Sequence, residues 1–557
     1  VGPEFQILTP PYLVGYLNSM SNLINTGVSY NCAPGEDVGV STYQSVGGRH
    51  RQECPQGELT WRGPGNATNT AEELDVLLTG GRLSPNAKAV VQNAYEQAAV
   101  GEELQAAQQA TIMTAEFNTL GESMPQVELR PPAPPAGTSN KRSYKAVVML
   151  FLAGGADTWN MLVPREPALY QEYRDVRTDL ALNQHEIIDI TTEGQAHHTF
   201  GVHGSFRYLK GLYDDGQAAF ISNVGNLAEP LTMETWRNGK AQRCQGLYSH
   251  ADQQNGAQTL KCQEMGTAAR GTGGRLADAL AEGPQKYQTS SFSLAGSAVW
   301  SHGISTQREI VDERGSTGFH AYEGWRDPIV NITSQRHGNV YAEAYTQALL
   351  DSVRTSESLS ATLQSVKLAT NFAQNTQLQR QLYQVAKLIR ARAARGAERD
   401  FFFVSTGGWD MHSDMKASLN TRFADIDDTL RGFVQEIKAQ GEWDNVVLVT
   451  ESEFGRTLDS NGGGSDHAWA GNHFMVGGSV RGRRVFNQYP KSLKLGNDFD
   501  LGRGRLIPEY PWESMMVPLA GWLGLEQDQM ATAFPNLGRF NATKHIIAQD
   551  ALFTVPI

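Results

Sequence analysis

Apolar runs of strand length alternate with amphipathic helical segments over most of the chain after Lys145. Apolar runs that stop at turn residues predict strands at residues 145–153, 218–224, 290–299, 400–406, 445–451 and 473–480. Helical spacing of apolar residues predicts helices at residues 166–177, 205–215, 274–281, 341–358, 361–395 and 415–440. Strands that alternate with helices in this way indicate an α/β domain with a mainly parallel sheet sandwiched by helices.

The chain before this domain has a different pattern. Residues 1–127 are rich in loops and helical segments, and a Pro-rich run over residues 128–143 predicts a stiff linker. We therefore expect the α/β domain to span residues 144–557. Within it, the spacing of Leu and Val predicts a helical insertion at about residues 341–397, packed as a hairpin.

The composition is that of a globular protein, since 40% of the 557 residues are hydrophobic and 19% are charged, with a net charge of −12. No run rich in Lys or Arg occurs, which argues against a nucleic acid or an anionic membrane as partner. The longest apolar stretch, residues 146–156, is far shorter than the roughly 20 residues that span a bilayer. The chain begins VGPEF without Met, so we expect either a processed product or part of a longer chain.

The four cysteines fall into two local pairs, Cys32 with Cys54 and Cys244 with Cys262, and both spacings suit short-loop disulfides. The alternative is four buried free thiols in a cytosolic enzyme. We expect an extracytoplasmic protein, secreted, periplasmic or on the cell surface, mainly because of this pairing. The sequons that permit glycosylation in a secreted protein are Asn66, Asn331 and Asn541.

Four motifs with acidic residues and histidines follow predicted strands or lie in a Gly-rich loop. They are LFLAGGAD (150–157), FVSTGGWDMH (403–412), VVLVTESEFGR (446–456) and GSDHAWAGNH (464–473). In an open α/β sheet, ligands bind just beyond the carboxyl ends of the strands, so we expect these side chains to meet there. Carboxylates with imidazoles form a ligand set for a divalent metal. The predicted metal ligands are Asp157, Asp410, His412, Glu451, Glu453, Asp466 and His467.

The positions of these residues allow more than one role. Asp157 after Gly154-Gly155 could cap the next turn or helix. Asp410 and His412 are two residues apart, which places both on one face of an extended chain. Asp466 could orient His467, or the roles could be reversed.

The pair Glu451 and Glu453 has the same spacing but consists of two carboxylates, whose repulsion a bound cation would remove. Arg456 could pair with one of them, or it could hold a substrate anion. Ser249 in LYSHADQQNGAQ could be a plain helix N-cap, or a nucleophile beside the helix amides.

The ordered motifs LFLAGGADTWNMLVP, LYSHADQQ, GGWDMH, TESEFGRT, GSDHAWAGNHFMVGG and LAGWLGL…FPNLGRF resemble the bacterial family known as domain of unknown function 1501. That family is placed in the alkaline-phosphatase and sulfatase-like superfamily, and the resemblance covers roughly residues 145–545. The stretches PEFQILTPPYLVGYLNSM and LDVLLTGGRLS resemble the tail of another family, domain of unknown function 1800. Because the two families often occur together, the resemblance implies a partner domain cleaved from the same precursor.

The resemblance implies an alkaline-phosphatase-like sheet with Asp157 and His467 as metal ligands and Ser249 as the nucleophile. Asp410 and His412 match the later strand-end ligands, although alkaline phosphatases use a longer Asp-x-x-x-His spacing there. Their Asp-His pair is replaced here by Glu451-Ser452-Glu453. More carboxylates shift the expected metal from zinc toward manganese, magnesium or calcium.

Two functions follow from these expectations. The first is a metal-dependent hydrolase of phosphate or sulfate esters, with Ser249 or a water as nucleophile and Arg456 on the transferring group. His250 or His467 would then act as acid or base. The alternative is a non-catalytic cell-surface or assembly protein that keeps the fold and a structural metal ion and can self-assemble.

Overall fold

The computed structural model describes residues 10–26, 42–46, 49–53, 61, 63–130, 142–264, 270–306, 308–313, 315, 319 and 322–554. The chain forms two compact units, each built from two segments. The first unit consists of Val1–Ala136 and Ser316–Thr362, and the second of Gly137–Gly315 and Leu363–Ile557.

A nine-stranded sheet forms the centre of the second unit. Its strands lie in the order Arg308–Ile310, Thr289–Ser293, Arg399–Thr406, Lys145–Leu152, Val446–Glu451, Gly471–Gly477, Ala218–Gly225 and Arg484–Phe486, with Tyr510–Pro511 paired to Ala218–Gly225. All neighbours are parallel except Gly471–Gly477, which is antiparallel to both of its neighbours. The predicted α/β architecture with a mainly parallel sheet is therefore confirmed.

Three central strands end at the same edge of this sheet. Thr406 pairs with Leu152, and Glu451 pairs with Phe151, so the strands finish within one residue of one another. All three strands are almost completely buried, as is typical of parallel strands covered by helices on both faces. The segments that follow them therefore begin side by side.

Helices surround the sheet, and a small antiparallel sheet lies beside it. The α-helices are Pro167–Arg177, Arg207–Asp214, Met233–Asn238, His250–Thr259, Thr272–Glu282, Gln377–Arg390, Arg392–Arg395, Met415–Ala439, Glu513–Leu523, Met530–Ala533, Ala542–His545 and Gln549–Leu552. The 3₁₀ turns are Thr178–Leu180, Gln184–Glu186, Val299–Ser301, Trp443–Asn445, Gln527–Gln529 and Leu537–Arg539. The small sheet has the order Leu162–Pro164, Thr199–His203 and Ile187–Thr191.

The first unit is mainly helical. Its helices are Pro10–Thr26, Ala67–Leu74, the π-helix Asp75–Thr79, Pro85–Gln97, Glu103–Ile112, Ala115–Asn118, Tyr322–Ser334 and Val340–Ser365, the last of which runs past the end of the unit. Two antiparallel strand pairs accompany them, Thr42–Val46 with Arg49–Glu53 and Pro125–Leu129 with Gln335–His337. The N-terminal segment is thus rich in helices, as its sequence pattern indicates.

The division of the chain differs from the expected boundaries at two places. The expected insertion at 341–397 is split, because Val340–Ser365 lies mainly in the first unit whereas Gln377–Arg390 packs on the second unit's strand Arg399–Thr406. The expected linker at 128–143 starts inside a strand that pairs with Gln335–His337. Its residues 131–141 lie outside the described residues.

A disulfide joins Cys244 and Cys262 in the second unit. The other predicted pair, Cys32 and Cys54, lies outside the described residues. Within the described ranges, no helix is long and apolar enough to cross a membrane.

Candidate functional site

The segments after the central strands meet through close backbone contacts. Gly154 has a φ of +129°, and a Cβ added to it would lie 2.5 Å from the backbone nitrogen of Asp410. A Cβ added to Gly464 would lie 2.2 Å from the carbonyl carbon of His412. Glycine therefore allows three of the four motifs to pack backbone against backbone. Asp410 and His412 are held between the other two segments.

Asp410 is the centre of a cluster of histidines at this edge. His467 Nε2 and His412 Nδ1 each lie 3.1 Å from Asp410 Oδ1, and His250 Nε2 lies 3.5 Å from Oδ2. One ligand atom each from His250, Asp410 and His467 lies within 4.8 Å of the others. The Asp410 side chain is 45% exposed. The cluster is accordingly open to solvent on one side.

His250 and His467, which approach Asp410 through Nε2, are both fixed by hydrogen bonds from Nδ1. His467 Nδ1 donates to the carbonyl oxygen of Tyr248 at 2.7 Å, and His250 Nδ1 donates to Glu453 Oε1 at 2.9 Å. A carbonyl only accepts, so His467 carries its proton on Nδ1 and has a free Nε2 lone pair when neutral. Such outer hydrogen bonds are what orients metal-binding histidines.

Glu453 is buried and fixed in place by several donors. Its Oε1 accepts hydrogen bonds from the backbone nitrogen of Gly154 at 2.8 Å and from Gln254 Nε2 at 3.0 Å, besides the one from His250. The ring of Phe454 packs against the imidazoles of His250 and His467, with centroid distances of 5.1 and 4.8 Å. The imidazoles of His250 and His467 are therefore each fixed by a hydrogen bond from Nδ1 and by contact with the Phe454 ring.

Arg456 is fully buried and ties the loops of the site together. Its guanidinium donates to the carbonyl oxygens of Gly155 at 2.7 Å, Ser465 at 2.8 Å and Gly154 at 2.8 Å, and also to Asp410 Oδ1. These bonds occupy all three of its nitrogens. Arg456 thus forms an ion pair, but its partner is Asp410 and not Glu451 or Glu453, the partners considered from the sequence.

The same contacts determine the charge of Asp410. Partial burial would raise its pKa, but the hydrogen bond and positive charge of Arg456, together with His467, lower that pKa to about 2. Asp410 is therefore an anion at any physiological pH, as a metal ligand must be.

Ser249 stands at the N-terminus of the helix His250–Thr259. Its side chain makes no capping hydrogen bond, so its hydroxyl is not engaged in the usual N-cap role. The preceding Tyr248 has a φ of +70°, which is an uncommon conformation for a non-glycine residue, and its carbonyl holds His467. Ser249 thus lies in the chain between Tyr248, whose carbonyl binds His467, and His250, which belongs to the histidine cluster.

Asp157 lies in a different environment. It is only 1% exposed and forms an ion pair with Arg177, with Nη2 and Oδ2 2.5 Å apart. Its Oδ1 accepts from the backbone nitrogen of Asn160 at 3.3 Å. Asp157 is a predicted metal ligand, but its carboxylate pairs with Arg177. It therefore does not join the group of His250, Asp410 and His467.

Glu451 is also placed away from that group. It shares a strand face with Val447 and Val449, which belong to the apolar cluster containing Trp512 and Met515. Glu451 has no exposed surface, and neither carboxylate oxygen has a hydrogen-bond partner among the described residues. Burial and the nearby charge of Glu513 raise its pKa well above the usual range. A two-residue spacing puts Glu451 and Glu453 on one face only in a regular strand, and the strand ends at Glu451.

The remaining histidines and acids of the Gly-rich loop take separate places. Asp466 pairs with Arg503, at 2.5 Å between Oδ2 and Nη1, and lies 3.8 Å from His412 Nε2. His473 is buried edge-on to Trp512, and burial lowers its pKa to about 3. Asp466 therefore lies at the rim of the cluster next to His412, and it does not contact His467 as an orienting group.

Several supporting residues were not found by sequence reasoning. Gln254, one helical turn after His250, could have been found from that spacing. Tyr248 contributes a backbone carbonyl, which no side-chain motif encodes. Arg505 donates from Nε to the carbonyl oxygen of His467 at 3.0 Å and lies 5.4 Å from the ring centroid of Tyr248. No motif signals Arg505 either.

The sheet and the histidine cluster define an α/β protein with a candidate metal centre at the carboxyl edge of its parallel strands. Residues 144–493 match the family described as "Protein of unknown function (DUF1501)". Since this match covers more than half of the chain, the protein belongs to that family. The resemblance of the ordered motifs to domain of unknown function 1501 is confirmed. None of the curated proteins matches the chain.

Among solved structures, the chain is similar to Ps i-CgsB in complex with k-i-k-neocarrahexaose, with 10% identity, 72% of this chain and 77% of that chain covered, and a TM-score of 0.28. It is similar to the lipoteichoic acid synthase LtaP from Listeria monocytogenes, with 9% identity, coverage of 70% and 74%, and a TM-score of 0.26. It is also similar to the PsFucS1 sulfatase from Pseudoalteromonas sp., with 11% identity, coverage of 61% and 64%, and a TM-score of 0.23.

Proposed function

We propose that the protein is an extracytoplasmic, metal-dependent hydrolase of phosphate or sulfate esters, related to the alkaline-phosphatase and sulfatase-like superfamily. One observation carries this proposal: His250 and His467 both direct Nε2 at the ionised Asp410 while Nδ1 of each is held by another acceptor. Side chains held in this way are prepared to bind a cation.

The donor set fits a transition metal. Two imidazoles and one carboxylate are the ligands of a three-coordinate protein site that leaves a position for water or substrate. Calcium prefers six to eight oxygen ligands, so zinc or manganese suits His250, Asp410 and His467 better than calcium does. When bound there, such an ion would supply positive charge to an ester group and lower the pKa of a water molecule.

Ser249 is the proposed nucleophile. Its oxygen would form a bond to the phosphorus or sulfur as the bond to the ester oxygen breaks, and the leaving alcohol would take a proton from His412. The proton of the Ser249 hydroxyl passes to solvent. A water then cleaves the Ser249 ester, which releases the inorganic anion and restores the hydroxyl. His412 suits the proton-transfer role because its Nδ1 lies 3.1 Å from Asp410 Oδ1 and its side chain is 46% exposed.

Arg505 is the proposed anion-binding residue in place of Arg456. Its Nε is anchored on the carbonyl of His467, and its terminal amino groups make no hydrogen bond with any described residue. A planar guanidinium with free donors matches the oxygens of phosphate or sulfate. The donors of Arg456, in contrast, are already occupied.

The extracytoplasmic location is supported by the disulfide Cys244–Cys262, which encloses Tyr248, Ser249 and His250. Glycosylation, a partner domain cleaved from a common precursor and self-assembly stay predictions from the sequence.

The test starts from metal content. After chelation and reloading with zinc or manganese, we expect about one bound ion per chain by mass spectrometry, and hydrolysis of an aryl phosphate or aryl sulfate between pH 5 and 10. Ser249→Ala should abolish turnover and keep the metal, whereas His467→Asn should lose the metal. His185→Asn, which changes an exposed histidine outside the cluster, is the matched control and should change neither.

Arg505 has its own experiment in the reloaded protein. Arg505→Met should weaken inhibition by inorganic phosphate or sulfate at least tenfold, while Arg207→Met, which changes an exposed arginine on the helix Arg207–Asp214, should not. A metal-replete protein that cleaves neither ester at any of these pH values would favour the alternative, a non-catalytic surface protein with a structural ion.

A further inference from the structure

The first compact unit contains a polar cavity of about 880 Å³. Side chains from the helices Pro10–Thr26, Pro85–Gln97, Glu103–Ile112 and Tyr322–Ser334 line it. Ligand pockets typically have volumes of about 300–1,000 Å³, so the cavity is large enough for a small-molecule ligand. The candidate metal centre belongs to the other unit and uses none of these residues.

One wall of the cavity consists of side-chain amides. Gln105 and Gln109 are one turn apart on the helix Glu103–Ile112 and therefore share a face. Gln109 is only 4% exposed, and its Nε2 donates to no described residue. Buried amides are almost always hydrogen-bonded, so an unpaired one on a cavity wall indicates a ligand with an acceptor. Asn25 adds another amide to the lining.

Trp325 adds an apolar aromatic surface to the same lining. It is half-buried because it also packs against two apolar clusters of the unit, one containing Ile329 and the other Val91. This packing limits the motion of the indole ring. A fixed aromatic face beside amide groups can contact a ligand that has both C–H faces and hydroxyl groups.

The charges of the lining disfavour anionic ligands. Three acids, Glu102, Glu323 and Asp327, stand against one base, Arg326. An anion would meet net negative charge there, whereas a neutral polar molecule would find additional acceptors for its hydroxyl groups. The cavity thus differs in chemistry from the ester-binding site proposed above, and the inference does not depend on it.

We propose that this cavity binds a neutral saccharide, with a sugar ring against Trp325 and hydroxyl groups paired with Gln105 and Gln109. The probes are the neutral hexasaccharides maltohexaose, cellohexaose and N-acetylchitohexaose, titrated into the full chain by calorimetry. At least one of them should bind. Gln109→Leu and Trp325→Ala should each weaken that binding at least tenfold.

Gln108→Leu is the matched control, since Gln108 lies on the same helix but does not line the cavity. It should leave the affinity unchanged. Gln109→Leu keeps the side-chain size and removes an unpaired buried donor, so its melting temperature should equal or exceed that of the wild type, even if Trp325→Ala fails to fold. The proposal is overturned if no neutral hexasaccharide binds, if a sulfated one binds instead, or if Gln109→Leu binds as tightly as Gln108→Leu.

Discussion

Two aspartates follow a Gly-containing turn after neighbouring parallel strands, yet they have opposite environments. Asp157 follows Lys145–Leu152 and is buried against Arg177, whereas Asp410 follows Arg399–Thr406 and is 45% exposed among three histidines. The local sequences, GGAD and GGWD, are almost the same. The residues that tertiary packing brings next to such an aspartate, and not its strand-end motif, therefore determine what it can do.

Arginine is involved in both cases but with different results. Arg177 comes from the end of the helix Pro167–Arg177 and covers Asp157 completely. Arg456 donates to only one carboxylate oxygen of Asp410, because its other donors bind carbonyl oxygens. The carboxylate of Asp410 therefore remains accessible to the histidines. One aspartate is buried in an ion pair with an arginine, and the other is partly exposed to solvent.

The largest expected effect concerns the buried member of this comparison. Asp157→Asn removes the partner of a buried guanidinium, so we expect the free energy of unfolding to fall by about 3–5 kcal/mol. Denaturant titration measures this change. A variant with unchanged stability that has lost metal binding would show instead that Asp157 is a metal ligand.

Gly154→Ala tests the backbone contact that places Asp410. The added Cβ would lie 2.5 Å from the Asp410 nitrogen at a residue with a φ of +129°. We expect a loss of about 3 kcal/mol in stability together with weaker metal binding, because the loops cannot approach. Gly296→Ala, at a positive-φ glycine with open space around it, is the control for backbone strain alone and should keep metal binding.

Asp410→Asn tests the exposed member. We expect metal affinity to fall at least ~100-fold, equivalent to about 2.7 kcal/mol. The unfolding free energy of the metal-free protein should fall less than in Asp157→Asn, because Arg456 keeps its carbonyl acceptors when Asp410 loses its charge. Isothermal titration with zinc, compared between Asp410→Asn and Asp157→Asn, measures the contrast directly. Equal losses of metal affinity in the two variants would mean that Asp157 and Asp410 contribute alike to the metal site.

Glu451 and Glu513 are buried carboxyl groups that form no ion pair with any described residue. Burial raises the pKa of Glu513 to about 8, in spite of the positive charge of Arg275. Because the pKa of Glu513 is raised in the folded state, its contribution to the free energy of unfolding is fully present below its ordinary pKa near 4.5. That contribution is lost as pH rises through 8.

Replacing Glu513 with Gln should therefore stabilise the protein at high pH. We expect Glu513→Gln to exceed the wild type by about 2 kcal/mol at pH 9 and to show a flatter decline in stability between pH 6 and 9. Denaturant unfolding at several pH values provides the measurement. Parallel pH profiles for the two proteins would mean that Glu513 is ionised or paired in the folded state.

Much of the second unit could be predicted from the chain. The predicted strands at 145–153, 218–224 and 400–406 agree with the observed ones to within a residue or two, because long buried apolar runs have few alternatives. The strand expected at 290–299 stops at Ser293, and the helix expected at 361–395 is interrupted before Gln377. Thr376 caps the new helix with a reciprocal hydrogen-bond pair, a local signal that periodicity alone does not reveal.

The candidate site was only partly predictable. Asp410, His412 and His467 come together at the sheet edge, as their strand-end positions indicate. The supports could not be read in the same way, because Tyr248 contributes a carbonyl and Arg505 comes from a distant loop. Arg456 has a recognisable motif, but whether its donors are free depends on which carbonyls surround it.

The family, the mainly parallel sheet and the edge that carries the candidate site could all be predicted from the chain, since they follow from ordered motifs, local periodicity, turn residues and strand direction. Three features depend on long-range packing: Arg177 covers Asp157, Glu451 faces the core, and Asp410 stays open to solvent. The physical reason is that burial and electrostatic environment depend on residues far apart in the chain, which only the packing of the loops brings within contact distance.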